Sequence, residues 1–427
     1  MRQSDFKRFD MLEHPRPTKG YLRPVTWLLS FPDVWRNKTK ITKIGMDRIK
    51  PPYLLLCNHN AFIDFKVTTV ATFPARANYV VAIDGFIKRE GLLRNVGCIC
   101  KRKFTNDITL VRQLGRVIKN GDIAVLYPEA RYSLCGTNAV LPDSLGKLAK
   151  HLKVPVVSLI MHGHHIQTPF WNLHRRGNFR TEATLTHLIS AEELEKLSVE
   201  EINERINVAF RYDEFAWQKE NNVKITYKDR AKGLHKVLYQ CPHCKKEYRM
   251  NSDGARIWCD ECHKAWTMDE YGELHAEQGE TEFSHVPDWY EWERLQVRGE
   301  VERGQYHFSS KVKVDSLPNA KGFIDLGEAT LTHDMNGYTL EGVYEGEPYK
   351  IEKSVKSMYS VHIEYDYLGS GRDCIDINTL TDTFYIYPYD CDFSVTKFAL
   401  ATEELYEAEM REEKKGGLHK KLTPKKA

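Results

Sequence analysis

In the first half of the chain, apolar residues gather in short runs at 53–57, 79–83, 123–127 and 154–160. Runs of this length, mostly rich in branched side chains, predict buried strands. Between them, Ile108–Lys119 repeats apolar residues at helical spacing and stops at Asn120-Gly121, which predicts a helix with its terminator. Residues 192–209 predict one or two more helices. Strands alternating with helices indicate an α/β layered sheet whose ligand site lies at strand ends. The second half differs. Residues 287–304 predict a charged helix ending at a glycine. From 306 to 391, alternating segments such as 311–314, 360–365, 374–377 and 383–387 are separated by Gly, Asn and Asp turns and predict a β-rich module. Residues 397–409 predict a closing helix.

A length of 427 residues suggests two or three domains. The expected division is a basic amphipathic segment at 1–50, an α/β domain at 51–235, a cysteine segment at 236–272, a helical connector at 273–305, the β-rich module at 306–409 and a basic flexible tail at 410–427. The net charge of +3 implies no global polyanionic partner, but both ends are basic. Residues 1–50 carry twelve Lys or Arg against five Asp or Glu, and residues 411–427 seven against two. No apolar stretch reaches the ~18 residues needed to span a bilayer, and the charged start does not read as an export signal. Trp27, Leu28, Leu29, Phe31 and Trp35, flanked by Arg23, Arg36, Lys38 and Lys40, suit either an interfacial anchor or a helix packed on the next domain. An anchor would expose its apolar face.

One run delivers chemistry. The predicted strand at 53–57 is followed by Asn58-His59-Asn60-Ala61-Phe62-Ile63-Asp64. An imidazole titrates near neutrality, and a carboxylate on one ring nitrogen fixes the tautomer, so the other nitrogen can take a proton from a hydroxyl. Residues five apart do not share a helical face as those three or four apart do. His59 is therefore expected in the strand-to-helix turn and Asp64 in the first helical turn. The bland reading is a satisfied histidine beside a helix-start aspartate. Further along stand Gly97-Cys98-Ile99-Cys100-Lys101-Arg102, then Tyr127-Pro128-Glu129-Ala130-Arg131-Tyr132-Ser133, then Val154-Pro155-Val156-Val157.

In this order the four segments resemble the sequence blocks of the glycerolipid acyltransferase family, the lysophosphatidic acid acyltransferases, over about residues 20–210. The resemblance implies that His59 is the general base and Asp64 its orienting partner. It implies that Arg102 and Glu129 bind the acceptor, with Arg131 standing one position before the family's arginine. The family's block-three glycine is Ala130 here, Tyr132 stands where arginine is expected, and Ala61 replaces a common hydroxyl residue. The expected reaction moves a fatty acyl group from acyl-CoA or acyl-ACP to a lysophospholipid hydroxyl, with 1-acyl-glycerol-3-phosphate as the favoured acceptor, in phospholipid biosynthesis. Without a spanning segment, the expected location is cytoplasmic and peripheral to the inner face of the membrane. Cys57 or Cys135 as a nucleophile is the weaker chemistry, because buried cysteines are usually inert.

A second motif is Cys241-Pro242-His243-Cys244, fourteen residues, then Cys259-Asp260-Glu261-Cys262. Two such pairs resemble a zinc ribbon, with residues 248–250 and 256–258 forming its hairpin. Four thiolates suit a structural Zn²⁺, with iron as runner-up. Lys245, Lys246, Arg249, Arg256 and Lys264, with Tyr248, Trp258 and Trp266, leave open a non-enzymatic protein that engages nucleic acid or a partner. Near-neutral total charge weakens the nucleic-acid form. A lipid-binding pseudoenzyme is the third reading. Several strands capped by one terminal helix resemble a pleckstrin-homology-like barrel in outline only.

Overall fold

The computed structural model describes residues 6–422, with side chains as far as residue 413. The first half builds a seven-stranded mixed sheet from β1 (Lys40–Ile44), β2 (Leu54–Cys57), β3 (Ala77–Ala82), β4 (Ile99–Lys101), β5 (Ile123–Leu126), β6 (Val156–His162) and β7 (Glu182–Ile189). Its order is β1-β7-β6-β2-β5-β3-β4. The five strands from β6 to β4 run parallel, while β7 is antiparallel to β6 and carries β1 at the edge. Strand β2 is central and wholly buried. Its period of two sends Leu54 and Leu56 to one core and Leu55 and Cys57 to the other, so both faces need cover.

Helices supply that cover. They are α1 (Arg23–Arg36), α2 (Asp64–Thr72), α3 (Glu90–Asn95), α4 (Ile108–Lys119), α5 (Ser144–Leu152), α6 (His164–Gln167), α7 (Ala191–Lys196), α8 (Val199–Ala209) and α9 (Glu214–Glu220). The expected helix at α4 has its sequence-read limits, with Asp107 accepting the Thr109 N–H as its cap. Residues 192–209 form two helices because Ser190 with Glu193 and Ser198 with Glu201 close two capping boxes. Strands β1 and β7 went unread, since β1 is Lys-rich and mostly exposed at an edge.

The cysteine segment is a four-stranded antiparallel sheet, β8 (Met250–Asp253), β9 (Arg256–Cys259), β10 (Ala265–Met268) and β11 (Leu274–Ala276), in the order β11-β10-β9-β8. The expected hairpin is thus twice as large. Helix α10 (Val286–Glu302) follows. The last sheet is antiparallel: β12 (His307–Ser316), β13 (Ile324–Asp334), β14 (Gly337–Tyr344), β15 (Glu347–Ser354), β16 (His362–Glu364), β17 (Cys374–Asn378) and β18 (Thr383–Pro388). Its order is β15-β14-β13-β12-β18-β17-β16, and α11 (Val395–Leu422) closes it. The backbone helix therefore runs through most of the expected flexible tail; residues 423–427 lie outside the described residues.

These parts share cores. Trp266 of β10 and Trp289 of α10 are fully buried with rings 4.9 Å apart, in a cluster that also takes Phe170 and Phe215 from the first half, Leu331 from β13 and Phe398 from α11. Leu317 and Tyr385 of the last sheet enter the core under β2. Helix α1 is the exception. It buries Ser30 and Val34 and leaves Leu28 at 73 % and Trp35 at 70 % exposure, with Leu29 also outward. Phe73 extends this surface, packing edge-on against Trp27 and Phe31.

Candidate functional site

Strand β2 ends at Cys57, and the next residues are pinned to β6. Asn58 pairs through its amide with both backbone groups of Met161, at 2.9 and 2.8 Å, and Asn60 adds a third bond at 3.1 Å. This holds His59 in the turn before α2, whose first residue is Asp64, as the spacing predicts. His59 Nδ1 lies 3.1 Å from Asp64 Oδ2. The same carboxylate accepts the N–H groups of Asn60 and Ala61, at 2.5 and 2.9 Å. Backbone donors thus serve where Ala61 offers no hydroxyl.

Sequence reasoning missed a second imidazole. His164 Nδ1 lies 2.7 Å from Asp64 Oδ1, and its side chain is fully buried. The visible signal was His162-Gly163-His164-His165 directly after the β6 run, where three histidines meet a strand end. Burial works to raise the Asp64 pKa, but the bonds from His164 and His59 outweigh it and hold the carboxyl well below the ordinary range. Asp64 therefore stays ionised and fixes the His59 tautomer with Nδ1 protonated. That leaves Nε2 for the cavity. The ring is held between Tyr127 and Tyr132, at centroid distances of 4.4 and 4.3 Å.

His59 opens on a cavity of about 1500 Å³. Its walls come from β3, α4, α5 and the turns after β2 and β5, and connections between strands of the last sheet close it with Phe323, Tyr359, Tyr367 and Leu368. Leu110, Leu114, Leu145 and Leu148 give the α4–α5 part an apolar lining.

The other expected binding residues are placed differently. Arg102 is 1 % exposed, and its terminal nitrogens donate to the carbonyls of Leu317, Pro318 and Thr381 and to Thr383 Oγ1, at 2.7 to 3.0 Å. It fastens the last sheet instead of facing the cavity. Arg131 reaches the cavity wall, but its terminal nitrogens bond Ser360 Oγ at 3.0 Å and Glu403 Oε1 at 2.6 Å. The early arginine in the third block thus meets α11. Glu129 is buried beside the site without lining the cavity. It accepts from the Ala139 N–H at 2.8 Å and from the Tyr212 hydroxyl, and burial pushes its carboxyl up to about 8. Ala130 keeps a left-handed backbone at φ +56°, the conformation a glycine would take without strain. Ser133 N–H bonds the His59 carbonyl at 2.9 Å and ties the two turns together.

The four cysteines do converge. The Cys241–Cys262 and Cys244–Cys259 sulfurs are each 3.7 Å apart, and all four lie within 4.8 Å of one another. Tetrahedral Zn²⁺ with Zn–S near ~2.3 Å requires S···S edges of ~3.8 Å. Both C-x-x-C turns are built alike. Lys245 and His263, at φ +66° and +61°, donate to the carbonyls of Cys241 and Cys259. The surrounding base and ring groups are engaged: Arg249 pairs with Asp392, Arg256 with Glu277 and Lys264 with Glu282, while Trp266 is buried. Four of the eight residues that suggested nucleic acid thus have partners within the protein.

No curated protein matches the chain. Among solved structures, a similar chain is PlsC of Thermotoga maritima, a 1-acyl-sn-glycerophosphate (LPA) acyltransferase, at 15% identity and a TM-score of 0.36 over 44% of this chain and 77% of that one. Residues 36–162, which contain His59, Asp64, Arg102, Glu129 and Arg131, match the model of the family described as Acyltransferase.

Proposed function

We propose that the protein transfers a fatty acyl group from a thioester, acyl-CoA or acyl-ACP, to the free hydroxyl of a single-chain lipid. The observation that carries this is His59, held by Asp64 and opening its other nitrogen onto a large cavity with an apolar lining. A thioester is already activated, so the protein's task is orientation and proton removal. The acceptor oxygen attacks the thioester carbonyl as His59 Nε2 takes its proton. The C–O bond forms, the C–S bond breaks, and the thiolate leaves with the proton from the imidazolium. Base catalysis of this kind contributes on the order of 10²- to 10⁴-fold. Cys57 and Cys135 suit no nucleophilic part, because burial pushes both thiols up, Cys135 to about 12.

The 1-acyl-glycerol-3-phosphate reading rests on the resemblance alone, since Arg102 and Arg131 give their terminal nitrogens to the last sheet and α11. No helix among the described residues is long and apolar enough to cross a membrane. The outward face of α1 supports a peripheral enzyme that meets its lipid at the surface. The Cys241, Cys244, Cys259 and Cys262 set supports a closed structural Zn²⁺ site, with iron as the alternative; the metal would crosslink β8–β11 and take no part in acyl transfer.

The test is thiol release from palmitoyl-CoA and palmitoyl-ACP by the full chain, over lysophospholipid and amino-lipid acceptors. Turnover lost in a folded His59→Ala variant is the expected result. A folded wild type inert with every acceptor would make the protein a lipid-binding pseudoenzyme and overturn the assignment.

A further inference from the structure

The cavity that receives His59 also receives a group of charged side chains from the last sheet and the turn after β3. Lys103 Nζ lies 2.9 Å from His362 Nε2 and 3.7 Å from both Asp84 Oδ2 and Asp376 Oδ2. His362 Nδ1 lies 2.8 Å from Asp376 Oδ2. Glu364 lines the cavity two residues on, 3.7 Å from His362 Nε2, and among the described residues its side chain makes no hydrogen bond. One lysine and one histidine therefore share the cluster with three carboxylates. Asp376 is closed off, whereas Asp84 and Glu364 keep 24 % and 18 % of their side-chain surface open.

This polar end lies near the base. Tyr132, whose ring centre lies 4.3 Å from that of His59, lines the same cavity as Asp84 and Glu364. Arg102 and Arg131 give it no counterweight, since they are fastened to the last sheet and α11. Lys101 donates to the Thr105 carbonyl at 2.9 Å. Arg89 is exposed at the cavity rim, and Arg112 and Lys147 stand on α4 and α5 beside the apolar part. A phosphate monoester placed beside Asp84 and Glu364 would meet two partly open carboxylates that share one lysine, and like charges there repel. An ammonium group would complete them.

We propose that the acceptor carries a protonated amine in its head group, and that Asp84 and Glu364 recognise it. The inference rests on the acyl-transfer reading and names the substrate class of that site. Held as ammonium, the nitrogen has no lone pair and stays unreactive, while the hydroxyl is left to His59. Acylation then falls on oxygen.

The experiment compares lysophosphatidylethanolamine, its N-acetylated form and lysophosphatidate as acceptors for palmitoyl-CoA, and also measures their equilibrium binding to the full chain. A charged hydrogen bond lost from such a site changes affinity or turnover by about tenfold or more. The expected result is at least that preference for the free amine over the N-acetyl form, in binding and in kcat/KM, collapsing in Glu364→Gln and in Asp84→Asn. Each variant is an independent near-isosteric change. Equal binding of the amine and N-acetyl lipids, or tighter binding of lysophosphatidate, overturns the proposal. If no acceptor is turned over, the acyl-transfer reading falls while binding still decides the amine.

Discussion

Asp64 and His164 are joined by a 2.7 Å contact in which neither side chain touches solvent. The carboxylate is therefore fixed from behind while its other oxygen holds His59. A bond to a buried charge is worth about 1.5–3 kcal/mol. We expect His164→Gln to lower kcat by about tenfold with little change in KM, and to alter the pH profile of kcat. Asp64 contributes stability above the ordinary carboxylate range that is lost only as acid reaches its depressed value. An unchanged kcat and pH profile in the variant would remove His164 from the positioning of the base.

Glu129 gives a pH dependence of opposite sign. Its carboxyl is raised from 4.5 to about 8, so between these values the folded protein binds a proton that the unfolded chain has released. Stability from this group is full below the lower value and declines as pH rises through the upper. Glu129→Gln should be relatively more stable than wild type at pH 9 than at pH 5, measured as Tm. A constant difference across that range would contradict the shift.

How much of this was legible in the sequence differs between residues. His59 and Asp64 were readable because a short turn joins them and local spacing fixes their meeting. The β2, β3, β5 and β6 runs were readable because strands buried on both faces are continuously apolar. Arg102 and Arg131 were not, because their partners lie more than two hundred residues away and nothing local announces them. Block order places an arginine on a loop; it does not say which oxygens its guanidinium meets. His164 was hidden by a shorter but still long separation, one hundred residues from Asp64. At Ala130 the departure from glycine is absorbed by the backbone, which keeps φ +56°.

Glu403 of α11 binds Arg131 at 2.6 Å, Arg294 at 2.7 Å and Ser360 at 2.7 Å, all in the interior. Replacing it with glutamine removes the carboxylate paired with buried Arg131, while Arg294 keeps Glu291 and Glu404, and breaking a buried pair costs about 3–5 kcal/mol. A loss of unfolding free energy below about 1 kcal/mol in denaturant titration would show that solvent reaches this cluster.

Metal content provides an independent check. The full chain should carry one Zn²⁺ per molecule, and strong chelation or Cys259→Ser should lower Tm. Because Trp266 packs on Trp289, tryptophan fluorescence should change with metal loss. Metal-free protein with unaltered Tm would argue for a thiol cluster that folds unaided.

Exposed Leu28 and Trp35 make α1 testable on vesicles. Burying such a side chain contributes about 1.5–3 kcal/mol, so Leu28→Glu combined with Trp35→Glu should weaken binding to anionic vesicles by at least tenfold. Turnover of monomeric short-chain acceptors should persist. Equal partitioning of variant and wild type would assign the surface to something other than lipid.

Arg102 bonds Thr383 across 281 positions of sequence, and the walls of one cavity come from both ends of that span. Closing so large a loop delays the reward of contact, so refolding should be slow and late in forming the base's surroundings. A fragment ending after α9 would open the core shared with Leu317 and Tyr385 and leave an unsatisfied guanidinium. The activity proposed for His59 thus depends on codons far downstream, and a frameshift before β18 should silence it as surely as the histidine's own replacement.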